Sequence, residues 1–200
     1  MHKDTFCMKD LMELVEDISS HNLVPYEELP KYDFFLSQVI DYLNDNFTEE
    51  KYTNNIIQNY IKSEIVSKPE SGKKRGYTKV HLIQMVLISY MRPILTTEEI
   101  RKVFKLAFNS IDDRSDDIIS WEDTYKIFSY IHQNKRNILD SPCGFGDSLD
   151  EIVHGLDLSQ KDEERIKVFL TVMALISQAS IIKKLAHRLV HDYSDIQEKE

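Results

Sequence analysis

The chain has 200 residues, 42% apolar and 30% charged, with a net charge of −9 and a pI near 5.3. That is enough to bury a core without metal or disulfide support, and the five Gly, five Pro and long periodic apolar runs point to an all-α protein. Cys7 and Cys143 stand far apart with no partner pattern, so they read as reduced thiols of a cytoplasmic protein rather than a disulfide framework.

In chain order, the first stretch mixes acids into its apolar run and lacks a small-residue cleavage site, so it does not read as a secretory signal. Residues 4–19 place Phe6, Leu11, Leu14, Val15 and Ile18 on one helical stripe. Asn22, Pro25 and Pro30 then break the helix, and a second is predicted over 32–46 with Phe35, Leu36, Val39, Ile40 and Leu43 inward. Both helices are acidic outside. They are expected to be scaffold, forming an N-terminal stretch, 1–50, that packs on the core.

Residues 51–110 form the central stretch. Between 51 and 108, 11 Lys and Arg face only 4 Glu, whereas the remainder of the chain carries 14 against 30 acids. Positive charge concentrated in one segment of an acidic protein suggests an anionic partner, nucleic acid first. Thr48 or Thr53 is a candidate cap for a helix with Ile56, Ile57, Tyr60, Ile61 and Ile65 inward. Its outer face carries Asn54, Asn55, Gln58, Asn59 and Lys62. Such amide groups offer a donor and an acceptor together, matching the N6/N7 edge of adenine in a major groove, whereas a merely solvated helix face favours Glu and Lys over Asn. Residues 67–77 then bring Pro69, Gly72 and Gly76 together with Lys68, Lys73, Lys74 and Arg75, the composition of a β-hairpin wing laid along phosphates. Basic loops without a partner are common, so the position of this one directly after the amide face carries the argument. A broadly apolar helix over 78–90 follows, ended by Pro93. The next is capped by Thr96 or Thr97 with Glu99, and turns Ile100, Val103, Phe104, Ala107 and Phe108 inward.

The C-terminal stretch, 111–200, opens on an acidic linker. It continues with a helix from Ser120 or Trp121 to Asn134, inward at Tyr125, Ile127, Phe128 and Ile131, and a loop holding Cys143. Ser159 and Glu163 open a long helix to about Asp192 whose middle is apolar nearly all round, so its own chain or a second copy should enclose it. Its longest apolar run, 168–182, is short for a bilayer span and reads as a core helix; no membrane is expected. His187 and His191 share one face but lack a third ligand, and Cys143 has no ligand set around it, so no metal is expected. No cofactor is expected either. Nucleophile elbow, phosphate-binding glycine loop and paired carboxylates are absent from the sequence, and nothing argues for an enzyme.

The order of helix, basic loop with Arg75 and Tyr77, helix, and Thr-capped helix resembles the MerR-type winged helix-turn-helix. In that likeness Tyr60 matches the aromatic of the recognition helix, Ile65 and Val66 the apolar pair before the wing, and Arg75 and Tyr77 the wing Arg-x-Tyr. Leu82, Met85 and Ile88 match core positions of the next helix. Gln58 stands where that family has Arg, removing one expected phosphate contact, and Glu64 stands where it has Gly, which bears on the helix-to-wing geometry. A closer resemblance, carried by LPKYDFFLSQVIDYLND, TNNIIQNYIKSEIVSKP and KRGYTKVHLIQMVLI over roughly 29–128, is to a bacterial family known as domain of unknown function 1836. It implies a MerR-like DNA-binding module and no established activity.

The expected protein is thus an all-α transcriptional regulator with a winged helix-turn-helix, a small β-hairpin wing and C-terminal helices for dimerisation or sensing. Its partners are double-stranded DNA and a second copy. The expected contacts are Asn54, Asn55, Gln58, Asn59, Lys62, Lys73, Lys74, Arg75, Tyr77 and Lys79. The alternative is a protein-interaction module that keeps the fold without binding DNA.

Overall fold

The structure, a computed structural model, describes residues 11, 13–15, 17–18, 23–47, 51–72, 74–133 and 146–197, with side chains in the last stretch from 148 to 191. Phe6, Cys7, Thr48, Lys73, Asn134 and Cys143 lie outside the described residues. The described positions between 11 and 18 are helical. A 3-10 turn (Tyr26–Glu28) follows, then α1 (Leu36–Asn46), α2 (Asn54–Lys62), α3 (Lys79–Met91), α4 (Thr97–Ala107), α5 (Trp121–Gln133), α6 (Gly146–His154) and α7 (Gln160–Gln197). Among the described residues there is no strand, only an antiparallel bridge between Phe34 and Tyr77. The fold is mostly helical, as expected. Among the described residues of 67–77 no strand pair forms, and a turn stands where the β-hairpin was expected.

α3 is the hub, because from Val80 to Met91 every side chain is buried. A helix apolar all round has to be enclosed, and the few polar groups it carries must find partners inside. Gln84 Oε1 accepts from Ser67 N and Ser67 Oγ, both at 3.0 Å, and Ser89 Oγ donates to the Met85 carbonyl at 2.8 Å. α4 begins with the expected cap, on Thr96: its hydroxyl accepts from Glu99 N, while the Glu99 carboxylate takes the Thr96 N–H. Ile100, Val103, Phe104 and Ala107 of α4 face inward. Beyond them the Phe108 ring stacks on Trp121 at 3.6 Å, with the edges of Phe104 and Phe169 against the pair.

α5 is tied on both sides: the Tyr125 hydroxyl donates to the Val24 carbonyl at 2.6 Å, and His132 Nδ1 lies 2.8 Å from Ser177 Oγ of α7. The buried core runs from Leu29 to Ile176, drawing on the N-terminal, central and C-terminal stretches alike. The start of α7 differs from expectation. Ser159 shares its cap with Asp162, and Glu163 instead meets His154 of α6 at 2.6 Å.

α7 packs Ile166, Phe169, Leu170, Met173, Ala174 and Ile176 inward, but it is not enclosed all round. Val168, Leu175 and Ile182 are 47%, 45% and 50% exposed. Leu175 therefore lies outside in the single chain, because one layer of neighbouring helices covers only one face. Gln160–His191 is long and apolar enough, by length and composition, to cross a membrane, with 44% of its apolar 18-residue window buried inside the chain.

Candidate nucleic-acid interface

α2 is short, so its position has to come from its ends and from one buried face. At its start Thr53 Oγ1 accepts from Ile56 N at 3.4 Å. Just upstream, Asn44 of α1 clamps the chain: its side chain accepts from Tyr52 N at 2.7 Å and donates to the Tyr52 carbonyl at 3.2 Å. Tyr52 is itself buried, with its hydroxyl 2.6 Å from Ser89 Oγ of α3 and the Arg92 guanidinium over its ring at 4.1 Å. Ile57 is fully buried and Ile56, Tyr60 and Ile61 half-buried, which turns Asn54, Asn55, Asn59 and Lys62 to the solvent.

The other end of α2 closes by a Schellman motif. Ile65 N donates to the Tyr60 carbonyl and Glu64 N to the Ile61 carbonyl, both at 3.1 Å, with Glu64 at φ +56°. The left-handed region is where glycine is favoured. Glu64 therefore adopts the conformation its sequence context requires, at some cost, and sends Ile65 and Val66 into the core.

Loop 67–77 is held at its base from three directions. Ser67 is bound by Gln84, as above. Lys68 N donates to Asp112 Oδ1 at 2.8 Å while its ammonium meets Asp112 Oδ2 at 2.9 Å. The Lys68 carbonyl lies 3.2 Å from His81 Nε2. His81 Nδ1 accepts from Thr78 N at 3.0 Å, so the ring proton sits on Nε2, and burial holds the imidazole pKa below its usual value. Across the loop Glu70 N donates to the Gly76 carbonyl at 3.0 Å, with Gly72 at φ +81° in the turn. A Cβ on Gly76 would lie 3.0 Å from the Glu70 carbonyl oxygen and 3.1 Å from Pro69 Cβ, a tight approach that glycine relieves.

The expected contact residues separate into three groups. Asn54, Asn55, Asn59, Lys62, Lys74 and Arg75 are exposed. Gln58 is half-buried and its side chain reaches the Tyr77 hydroxyl, so it joins α2 to the loop and is only partly available. Tyr77 and Lys79 do not lie on this surface. Tyr77 is 6% exposed, with its backbone paired to Phe34, and burial raises its pKa. Lys79 turns away to the 3-10 turn: its ammonium donates to the Tyr26 carbonyl at 2.9 Å and sits 3.5 Å from the Tyr26 ring centroid, where burial lowers its pKa.

Phe35, expected inward, is instead the exposed residue before α1, with the Arg75 guanidinium 5.1 Å above its ring. The sequence does hold a signal for this. Gln38, three residues on, accepts from Phe35 N at 3.0 Å, the second half of a capping box that marks position 35 as the residue outside the helix. Glu64 and Glu70 are the acids closest in sequence to this surface, and both are exposed. Among the described residues no group of three or more His, Cys, Asp or Glu side chains is placed to hold a metal ion, and His187 and His191 are exposed.

Comparison with known proteins gives the chain a family and no activity. It belongs to the family described as Domain of unknown function (DUF1836), whose profile matches residues 24–128, the span from the segment before α1 into α5. It is also 34% identical over 93 residues to the uncharacterized protein YkrK of Bacillus subtilis (strain 168). That match covers 42% of this chain and 39% of YkrK, so the chain spans well under half of that relative's length. No solved structure matches significantly.

Proposed function

We propose that the chain is a sequence-specific, duplex-DNA-binding transcriptional regulator of the cytoplasm, with α2 as the recognition helix of a MerR-like winged helix-turn-helix over 51–110 and loop 67–77 as its wing. The carrying observation is the exposed amide face of α2 beside an exposed basic loop tip, the two joined through Gln58 and Tyr77. α2 enters the major groove, where Asn55 and Asn59 hydrogen-bond base edges and Lys62 meets phosphate at the rim. Lys74 lies along the backbone next to it, with Arg75 at its side. Glu64 in the glycine conformation supports the MerR-like part of the reading, because the turn out of α2 is then the one that family makes with glycine. The reading assigns no catalytic step.

Two copies act together, joined along the outer stripe of α7. Val168, Leu175 and Ile182 recur every seven residues, the spacing at which one helix seats against its own copy. Leu189 continues the repeat, and residues 168, 175, 182 and 189 span about 32 Å at 1.5 Å per residue. A single small module gives modest affinity, and two half-sites a helical turn apart multiply it.

The test is a titration of labelled duplex at two salt concentrations. Neutralising Lys62 and Lys74 takes two charges off the phosphates, so binding to every sequence weakens and the salt slope flattens by roughly one for each lysine replaced. An unchanged slope would show that this surface does not meet phosphate. A second reading, an interaction module that keeps the fold, is favoured by the exposed acids Asp41, Asp45, Glu64 and Glu70 on neighbouring elements. It predicts that no duplex is bound with a salt dependence that Lys62 and Lys74 control.

A further inference from the structure

Two exposed aromatic side chains stand beside the wing. Tyr32 is 58% and Phe35 38% exposed, although large rings are normally buried, and the two flank Phe34, whose backbone pairs with Tyr77. Tyr32 tilts against the Phe34 ring at 5.0 Å between centroids. Above Phe35 lies the Arg75 guanidinium at 5.1 Å, within the range of a cation–π contact. Lys31 and Lys74 are exposed next to them in sequence; Asp33 is half-buried. A chain of contacts therefore runs from α2 sideways: Gln58 to Tyr77, Tyr77 to Phe34, and from the neighbouring Phe35 up to Arg75.

From this we infer that Arg75, held on the Phe35 ring, is a minor-groove probe that reads the width of the groove flanking the element read by α2. The inference rests on the DNA-binding reading above. A group displaced to one side of a major-groove helix crosses one phosphate strand and meets the minor groove. A-tracts narrow that groove and deepen its negative potential, which draws in an arginine. A free arginine loses side-chain freedom on entering; one already seated on a ring loses less, so stacking sharpens the preference. The exposed faces of Phe35 and Tyr32 then pack on deoxyribose, which is apolar and present in every sequence. The ligand class is duplex DNA with an A·T-rich minor groove beside the α2 site, a preference made without base contacts by the wing.

The experiment uses the full chain and duplexes carrying its selected site, flanked by an A-tract, by G·C pairs, or by inosine·C pairs that lack the guanine amino group. The wild type prefers the A-tract flank to the G·C flank by roughly tenfold, with inosine·C between them. Phe35→Ala removes no charge, so its salt slope equals that of the wild type while the preference falls to about twofold or less. Arg75→Lys behaves alike, because lysine keeps the charge without the planar stack. Phe35→Tyr restores the preference. Phe35→Leu, apolar but without a π face, is the control should Phe35→Ala fold poorly, and it too loses the preference. If Phe35→Ala and Phe35→Leu keep the tenfold preference, or weaken both flanks equally, the probe is wrong and the DNA-binding reading stands. If the wild type selects no duplex at all, that reading fails and takes the probe with it.

Discussion

Glu64 is a place where a single residue works against its own backbone. A left-handed non-glycine residue costs about 1–2 kcal/mol, only partly offset by the greater freedom glycine has when unfolded. The Arg101 contact at 3.8 Å is largely exposed and adds little. Glu64→Gly should therefore stabilise the protein by about 0.5–1 kcal/mol in urea unfolding, and a loss of stability would show that the Schellman turn does not form. Two other residues make stability depend on pH with opposite signs. Burial disfavours the charged form of His81, so its folded pKa lies below the unfolded value. Its contribution is whole above pH ~6.5 and is lost as pH falls from there towards the folded value. Asp117 is pushed up to about 6 by burial and then by Asp116, and the buried Oδ1 of its carboxyl has no hydrogen-bond partner. Its ionised form opposes folding at neutral pH, and the penalty disappears as pH falls from about 6 towards 4. His81→Gln should remove the acid-side decline, whereas Asp117→Asn should raise stability at pH 7 by on the order of 1 kcal/mol, allowing for its partial exposure. Urea midpoints between pH ~4.5 and ~8 for the two variants check both signs.

At the scale of elements, α7 presents two faces that predict two kinds of mutant. Phe169 is fully buried against Phe108, so Phe169→Ala should cost about 3–5 kcal/mol. Leu175→Ala removes a half-exposed side chain and should cost less than about 1 kcal/mol in the single chain. Leu175→Glu should leave the fold intact and abolish association, read by light scattering; a wild type that stays monomeric at high micromolar concentration ends the dimer. The same helix shows what periodicity leaves undecided. Its position and extent were legible from the Ser159 cap and the apolar run, but a helix apolar on both sides does not say which side its own chain covers. α1 is the converse case. Its apolar spacing was legible, yet Phe34 and Phe35 read as one helical run, because the bridge that draws Phe34 to Tyr77 joins residues far apart in sequence. Lys79 eludes sequence reasoning for a similar reason: Tyr26, which holds it, comes from a turn 53 residues upstream.

For the molecule as a whole, the separation of charge visible in the sequence survives folding in part. Lys62, Lys68, Lys74 and Arg75 remain outside, but Lys68 is paired with Asp112, and Lys79 is held by Tyr26. Local composition marks where cations are plentiful. Which of them the fold uses internally depends on contacts between distant stretches, as does the core that joins the N-terminal segment to α7. The amide face of α2 was legible except for Gln58, because exposure at Asn54, Asn55, Asn59 and Lys62 follows from helical spacing whereas the half-burial of Gln58 depends on the loop. The central claim is that this face reads bases while the loop beside it holds phosphate. The most direct measurement is selection of bound sequences from random duplexes by the wild type, then titration of the enriched site and a scrambled one with Asn55→Ala, Asn59→Ala and Lys74→Ala. The account predicts one enriched sequence, a loss of about 1–3 kcal/mol at that site alone for each Asn variant, and an equal weakening at both sites for Lys74→Ala. No enriched sequence, or Asn variants that bind both duplexes as the wild type does, would contradict it.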